Sequence, residues 1–414
     1  MTKRQIAFSP GHCPAFPQPL HVGRPNIGST AEIHRRIDEI LQRRWLSNDG
    51  VMAQEFERRI AALVGVKHCL AVCNATVGLE IAYRAADLCG EVITPANTFV
   101  ATAHALQWQG ITPVFCDVDP ETHNLDPRRV EECITPRTTG IVGVHVWGRP
   151  CVAAALEGIA KKHGLKLLFD AAHAFGCSHE GKMIGGFGTA EVFSFHATKF
   201  VNCGEGGAIV TNDDDFAARV RSLRNFGLGG CDHVVSVGTN GKMSEFAAAV
   251  GLSSLESMDD FVQTNERNYH AYCRVLAGIP GVNILRYDEQ QRNNFQYVVL
   301  EVDENVSPLT RDQWLQVLHA ENVLARRYFY PGVHRTEPYR TLDSAASSRL
   351  PVTESVLRRV LVLPTGTAVE AGDIELIGQV FSTALAGAAS LKNQLSRTLP
   401  LPTLPLAPRK QEAA

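Results

Sequence analysis

The feature that most constrains the fold is a repeated alternation of short apolar runs and helical stretches, which begins near residue 68. The short runs have the length of strands and are almost continuously apolar, as strands buried on both faces are. The predicted strands are residues 69–73, 92–94, 113–117, 140–146, 165–170, 191–196 and 207–211, and the helices between them include residues 76–87, 98–109, 152–163 and 214–224. This order predicts an α/β domain with a mostly parallel sheet covered by helices on both faces.

The pattern changes after residue 252. A long helix over residues 252–276 is predicted to lead out of the first domain, followed by strands at 294–302 and 325–330 and helices at 311–321, 352–361 and 371–384. We therefore expect four segments: an N-terminal arm over residues 1–30, a large cofactor-binding domain over 31–255, a small C-terminal α+β domain over 256–392, and a tail over 393–414. The tail contains four prolines and little periodicity, which is typical of disorder.

Composition excludes several classes of function. The formal net charge is −3, without the basic excess of a protein that binds nucleic acid. The 11 cysteines include no C-x-x-C pair, which argues against a disulfide scaffold or a structural metal site. The sequence shows no signal-peptide core and no apolar run of membrane-spanning length. We expect a cytoplasmic protein with reduced thiols and no membrane partner.

Two residues near neighbouring strand ends suggest the chemistry. Asp170 ends one predicted strand, and Lys199 closely follows another that carries Ser194 near its end. Open α/β sheets bind ligands at the carboxyl ends of their strands. Asp170 alone is typical of a helix cap, and most lysines are solvated. A lysine held between two buried strands, however, can have a lowered pKa and act as a nucleophile.

Together these residues match the needs of pyridoxal phosphate. A carboxylate keeps the pyridine nitrogen protonated, and a lysine holds the aldehyde. The phosphate needs backbone N–H groups at a helix N-terminus, which 73-CNATVGLE-80 supplies around Thr76. Phe99 follows another strand end and is placed to cover the ring, although a core position would also explain it.

Several segments, in this order and spacing, make the chain resemble the DegT/DnrJ/StrS family of sugar aminotransferases, on the fold type I scaffold of aspartate aminotransferase. The resemblance runs from about residue 22 to about residue 377. The matching segments are 44-RWLSNDG-50, 64-VGVKHCLAVCNAT-76, 113-PVFCDVDP-120, 134-ITPRTTGIVGVHVWG-148, 170-DAAHAFG-176, 193-FSFHATK-199, 205-EGGAIVTND-213 and 238-GTNGKMSE-245.

The resemblance implies roles for individual residues. Lys199 resembles the Schiff-base lysine and Asp170 the carboxylate on the pyridine nitrogen. The implied remaining cofactor contacts are a stacking Phe99, phosphate contacts at Ala75, Thr76 and Ser194, and Asn240 lent to the phosphate by the second subunit of a homodimer. His173 and His196 stand where many members have Gln and Tyr, and Ala75 where many have Gly. His173 is still expected to reach the phenolic oxygen of the cofactor or to stack near it.

The variants CNAT, DAAH and FSFHATK resemble the DesI-type subgroup, which aminates C-4 of dTDP-4-keto-6-deoxyglucose. The expected reaction takes the amino group from glutamate. Trp45, Asn48, Tyr330 and His334 are candidate substrate contacts, with packing between domains as the alternative for the last two. Amination at C-3, a GDP- or UDP-linked sugar, or a regulatory protein on the same scaffold remain open. A sugar 3-dehydratase is disfavoured because that group has histidine in place of the lysine, and a nicotinamide dehydrogenase because no strand precedes a G-x-G-x-x-G.

Overall fold

The structure is a computed structural model that describes residues 13–343 and 345–395 of the 414-residue chain. The predicted tail therefore lies outside the described residues from residue 396 onward, as do the first twelve residues of the predicted arm.

The strands are β1 Leu20–His21, β2 His68–Val72, β3 Glu91–Pro95, β4 Thr112–Cys116, β5 Thr138–Val144, β6 Lys166–Asp170, β7 Ser178–His179, β8 Lys182–Met183, β9 Ala190–Ser194, β10 Gly207–Thr211, β11 Leu228–Gly230, β12 His233–Val234, β13 Val282–Ile284, β14 Val298–Val302, β15 Val323–Leu324 and β16 Val360–Leu363. The helices are α1 Thr30–Arg43, α2 Val51–Val64, α3 Ala75–Ala85, α4 Ala101–Gln107, α5 Pro127–Val130, α6 Ala153–His163, α7 Asp214–Arg224, α8 Glu245–Glu256, α9 Met258–Val275, α10 Arg311–Ala320, α11 Tyr339–Leu342, α12 Ala346–Arg349, α13 Pro351–Arg359, α14 Ala371–Ala386 and α15 Ala388–Gln394.

The central sheet has seven strands in the order β2-β10-β9-β6-β5-β3-β4. Only β10 runs antiparallel to its neighbours, so the other six strands end at the same edge. All seven predicted strands are present, and the α/β fold with a mostly parallel sheet is confirmed. Buried apolar residues on the two faces form separate cores under the helices, as a doubly covered sheet requires.

The C-terminal part packs α10 and α14 on the three-stranded antiparallel sheet β13-β14-β16. The prediction of one helix over 252–276 is wrong, because α8 and α9 are separate helices that meet at Ser257. The predicted strand at 325–330 is also wrong, since only β15 and a single bridge at Arg326 form there. Residues 360–361, predicted as helix, begin β16.

The N-terminal arm is tied to this C-terminal part. Strand β1 pairs in parallel with β15, Leu20 opposite Val323, and Phe16 is buried in the same core. The predicted division at residues 30, 255 and 392 remains a prediction. Among the described residues, no single helix has the length and hydropathy to cross a membrane. Helices α14 and α15 have that length and hydropathy only when taken together, and the pair is bent by 83°.

Candidate active site

The candidate site lies at the edge where six parallel strands end. Asp170 is the last residue of β6 and Ser194 the last of the neighbouring β9. The chain then turns through residues 195–206, here named the Lys199 loop, before returning as β10. Two adjacent strand ends therefore deliver Asp170 and Lys199 to one region, as the sequence predicted.

Asp170 is buried, and each of its two carboxylate oxygens accepts a hydrogen bond. Oδ2 accepts a 2.8 Å hydrogen bond from Thr102 Oγ1, and Oδ1 accepts one of 3.1 Å from the N–H of Ala172. Burial raises the pKa of this carboxyl, while the Thr102 and Ala172 hydrogen bonds and the positive charge of Lys199 oppose the rise. The carboxyl is thus fixed in position and partly deprived of solvent, so a protonated ring nitrogen would be a favourable partner.

Lys199 points its amine at an aromatic wall. Nζ donates a 3.3 Å hydrogen bond to the hydroxyl of Tyr297 and lies 5.9 Å from the centre of that ring. Burial lowers the pKa of Lys199 to about 8, against the opposing effect of Asp170 and Tyr328. Far more of the amine is therefore uncharged near neutral pH than in an ordinary lysine, and an amine that attacks an aldehyde must be uncharged.

His173 lies in a stack of nearly parallel rings. Phe329 stacks on Trp147 at 5.5 Å and on His173 at 5.8 Å, with interplanar angles of 8° and 18°. The backbone N–H of Trp147 donates to His173 Nδ1 at 3.2 Å, so that nitrogen is an acceptor and Nε2 carries the proton of the neutral ring. Burial, with a further contribution from Lys199, holds the pKa of His173 well below its usual range. His173 can therefore donate a hydrogen bond from Nε2.

Phe99 is 59% exposed, which excludes the core position that the sequence left open. Its ring meets Phe329 with centroids 6.5 Å apart and an interplanar angle of 56°. An exposed aromatic ring that meets Phe329, which itself stacks on His173, is suited to cover a planar ligand.

The N-terminus of α3 approaches the site where β10 begins. Asn74 caps α3, its Oδ1 accepting from the N–H of Val77 at 2.9 Å, which leaves the first-turn N–H groups of Ala75 and Thr76 without helical partners. Gly207 pairs with Ser194, and a Cβ on Gly207 would lie 2.8 Å from the nitrogen of Ala75. This close approach brings Ser194 and the α3 N-terminus together in an anion-binding arrangement.

Asn240 is exposed, and the backbone oxygen of the next residue, Gly241, accepts a 2.8 Å hydrogen bond from the N–H of Cys73, just before α3. Asn240 Oδ1 accepts a 2.7 Å hydrogen bond from Lys242 Nζ, and its backbone bridges Asn225. Exposed apolar side chains occupy the same loop region, including Phe226 at 51% and Val237 at 77% exposure. Such a surface is suited to contact another protein chain.

None of the four candidate substrate contacts has a described contact with Lys199 or Asp170 of the same chain. The indole N–H of Trp45 donates to the backbone oxygen of Asn48, and both residues are exposed. Tyr330 lies over the guanidinium of Arg327 at 4.3 Å. His334 is only 2% exposed and its Nε2 is 2.8 Å from a Glu354 oxygen, which favours the packing alternative for this residue.

Sequence reasoning missed the aromatic wall formed by Trp147, Tyr297, Tyr328 and Phe329. The loop that carries Tyr328 and Phe329 was identified from the sequence, but Tyr330 was named as its candidate substrate contact and these two residues were not. Trp147 stands within one of the family-like segments, which was an available signal. Within the described part of the chain, no group of three or more His, Cys, Asp or Glu side chains could hold a metal ion.

The chain is similar to known aminotransferases in both sequence and structure. The sequence model of the DegT/DnrJ/EryC1/StrS aminotransferase family matches residues 28–382. A dTDP-4-amino-4,6-dideoxy-D-glucose transaminase of Escherichia coli is 36% identical over 84% of this chain and 94% of its own. GDP-perosamine synthase of Caulobacter vibrioides is 36% identical over 82% of this chain and 91% of its own. The crystal structure of DesI in the presence of its TDP-sugar product is similar with a TM-score of 0.88 and 49% identity, covering 93% of this chain and 97% of that chain.

Proposed function

The chain belongs to the DegT/DnrJ/EryC1/StrS aminotransferase family, and from that membership we propose that it transfers an amino group from glutamate to the 4-keto group of a nucleotide-linked 4-keto-6-deoxy sugar. The observation that carries the proposed chemistry is the half-buried amine of Lys199 beside the buried carboxyl of Asp170. The sugar is inferred from relatives: one is named for a dTDP-linked 4-amino-4,6-dideoxyglucose, whose parent ketone is dTDP-4-keto-6-deoxyglucose.

The residues present fit pyridoxal phosphate as the cofactor. Lys199 would hold the aldehyde, Asp170 the ring nitrogen, Phe99 one face of the ring, and the N–H groups of Ala75 and Thr76 with Ser194 the phosphate. His173 would donate from Nε2 to the phenolic oxygen. When bound, pyridoxal phosphate supplies an electron sink for the charge that develops on a substrate carbon.

Lys199 is the group that would move protons. Its pKa of about 8 lets Nζ take a proton from the α-carbon of the donor and release it again near neutral pH. The hydrogen bond to Tyr297 orients Nζ while the amine is free. Asp170 would keep a proton on the ring nitrogen and stabilise it by charge, and its two hydrogen bonds keep the carboxylate in place without reorganisation.

A homodimer with shared sites is part of the proposal. Asn240 is exposed and therefore accessible to a second subunit, whose phosphate site it would serve as the family resemblance implies. The exposed apolar residues near it, Phe226, Val235 and Val237, supply a surface for that contact.

A second candidate differs only in the nucleotide of the substrate. GDP-perosamine synthase is as similar in identity as the dTDP-sugar relative, so a GDP-linked 4-keto sugar is the alternative that an observation favours. The chemistry assigned to Lys199 and Asp170 is the same for both.

Absorbance of the purified holoenzyme tests the proposal. The visible band of the Lys199-bound cofactor should fall when glutamate is added and return when dTDP-4-keto-6-deoxyglucose is supplied, with little return for a GDP-linked 4-keto sugar. The reverse preference would select the second candidate. The Lys199→Ala variant, matched by Lys166→Ala at an exposed strand position, should show no such cycle. If the wild-type band does not respond to glutamate, the proposal is wrong.

A further inference from the structure

The N-terminal arm passes directly over the Lys199 loop at Gly23. Gly23 has a φ of +74°, and a Cβ placed on it would lie 2.9 Å from Cβ of Thr198, the residue before Lys199. A side chain at this position would be excluded both by backbone conformation and by contact, so glycine is what allows the arm to lie there.

Asn26 fixes the arm a few residues further on. Its Nδ2 donates to the backbone oxygen of Phe200 at 3.1 Å, and its own backbone oxygen accepts from Asn202 Nδ2 at 2.8 Å. Its Oδ1 accepts from both the N–H and the hydroxyl of Thr367, at 3.0 and 2.9 Å. The arm is therefore held on both sides of Arg24, by the Lys199 loop and by the C-terminal part of the chain.

A small cavity lies between these elements and contains unpaired polar atoms. Its lining includes Arg24, Lys199, Asn265, Gln296 and Tyr297. Gln296 Nε2 and Asn265 Oδ1 are buried, in residues that are 8% and 1% exposed, and neither atom has a hydrogen-bond partner among the described residues. Buried polar groups are rarely left unpaired, so these two atoms mark positions where a water or a ligand group would form hydrogen bonds.

Arg24 indicates that the ligand carries a negative charge. No carboxylate lines the cavity, and Arg24 and Lys199 are its two basic residues. In the part of the chain that the structure describes, the exposed side chain of Arg24 makes no hydrogen bond or ion pair. A guanidinium without a partner, beside an unpaired amide N–H, is an arrangement that binds a carboxylate.

We propose that Arg24 binds the α-carboxylate of the amino donor, with Gln296 Nε2 as a second hydrogen-bond donor. This inference rests on the proposed function. In an amino acid the α-carboxylate is two bonds from the amino nitrogen, so its binding group must lie close to Lys199. The diphosphate of a nucleotide sugar lies on the far side of the sugar ring from C-4 and needs cations farther away. Arg24 is adjacent to Lys199 through Gly23 and Thr198, so it suits the donor and not the diphosphate.

The test compares Arg24→Gln and Arg24→Lys with Arg274→Gln, which alters an exposed arginine in α9. In the holoenzyme, Arg24→Gln should raise the glutamate concentration for half-maximal loss of the visible band by roughly 10- to 100-fold, because charge-assisted hydrogen bonds are lost. The half-maximal glutamate concentration of Arg24→Lys should lie between those of wild type and Arg24→Gln, and that of Arg274→Gln should match wild type. The KM for the nucleotide sugar should stay unchanged.

Two further measurements separate binding from a structural effect. Equilibrium binding of α-methylglutamate, which has no α-proton to lose, should weaken by the same factor in Arg24→Gln. The amine 4-aminobutyrate, which has no carboxylate on its amino-bearing carbon, should react equally slowly with wild type and with Arg24→Gln. Wild type should therefore prefer glutamate to 4-aminobutyrate, and Arg24→Gln should lose most of that preference. If wild type converts glutamate and Arg24→Gln does so with the same concentration dependence, this inference is wrong while the proposed function stands. If wild type does not convert glutamate, the proposed function itself fails.

Discussion

At Lys199, the balance between burial and neighbouring charge leads to a pH prediction. Burial lowers the pKa of the amine to about 8, and the carboxylate of Asp170 opposes that change. Capture of pyridoxal phosphate requires the uncharged amine, so the capture rate in the cofactor-free protein should rise with pH and reach half its maximum near pH 8. Stopped-flow absorbance at fixed cofactor concentration measures this profile.

The Asp170→Asn variant serves as the comparison for that profile. Without the carboxylate, the ammonium form loses a favourable interaction, so the midpoint should move to lower pH. A midpoint in the usual range of lysine, or a shift upward in Asp170→Asn, would contradict the assignment of burial and Asp170 as the opposing causes.

Among single residues, those predicted from the sequence are the ones with a local signal. Asp170 and Ser194 end strands, and Lys199 follows one, so the strand pattern alone brings them to one edge. Tyr297 and Phe329 could not be foreseen in this way, because they reach the site from loops 98 and 130 residues farther along the chain, where the sequence had predicted strands and no contact with Lys199. Tertiary packing, not local pattern, selects which aromatic residue of a loop faces the site.

Among elements, the approach of β10 to α3 predicts the effect of Gly207→Ala. The added methyl would lie 2.8 Å from the nitrogen of Ala75 and 2.9 Å from the oxygen of Phe193, so β10 must move away from the N-terminus of α3. We expect the dissociation constant of pyridoxal phosphate to rise by roughly 5- to 150-fold, the factor that corresponds to overpacking of about 1–3 kcal/mol. Equilibrium dialysis of the cofactor measures it.

Gly158→Ala is the matched control for that change. Gly158 lies within α6 and nothing is within 4 Å of the position its Cβ would take. The substitution should leave cofactor affinity unchanged and raise helix stability by up to about 1 kcal/mol. Equal cofactor affinity in Gly207→Ala and wild type would show that the close approach is not needed for the phosphate site.

The start of α2 depends on a carboxylate from another helix. Gly50 provides no side-chain cap, and Glu245 of α8 instead accepts from the N–H groups of Met52 and Ala53, both at 2.9 Å. Glu245→Ala leaves two buried N–H groups unpaired, so the free energy of unfolding should fall by about 3 kcal/mol. Urea denaturation at fixed protein concentration measures the loss.

Glu375→Ala is the control, since Glu375 is exposed on α14 and has no described partner. Its effect should stay within about 0.5 kcal/mol. A similarly small effect of Glu245→Ala would mean that water can replace the carboxylate at the start of α2.

The central sheet was predictable because its strands are apolar, short and separated by amphipathic helices. In the second sheet only β14 was predicted, within the strand expected at 294–302. β13 has three residues and β16 follows α13 without a turn, so neither has a separate pattern. The break between α8 and α9 falls at Ser257, within a run that is helical by composition on both sides. Short elements and helix junctions depend on what they pack against.

For the whole molecule, the arm and the C-terminal part meet over the Lys199 loop. Asn26, Phe200 and Thr367 are joined although they are up to 341 residues apart in the sequence. The sequence predicted an N-terminal arm over residues 1–30, but not its path, because the hydrogen bonds of Asn26 to Phe200 and Thr367 leave no local pattern in the sequence. The site is completed by chain segments that no local pattern relates to one another.

Assembly gives the last prediction, which mixes two inactive variants. Lys199→Ala removes the amine, and Asn240→Asp keeps the hydrogen bond to Lys242 while placing a negative charge toward the partner's phosphate. If Asn240 serves the partner subunit, a hybrid dimer has one site with both lesions and one with native Lys199 and native Asn240. Random pairing would then restore about a quarter of the wild-type sites.

Activity at limiting pyridoxal phosphate, with the two variants carrying different affinity tags so that hybrids can be isolated, measures that recovery. If Asn240 instead serves its own subunit, every hybrid has one site without the lysine and one with the misplaced charge, and mixing adds no activity. Recovery in the isolated hybrid, absent from either parent, can arise only from a site built across two chains. Its absence in a stable hybrid would show that Asn240 does not serve the phosphate site of the partner subunit, while leaving the roles of Lys199 and Asp170 untouched.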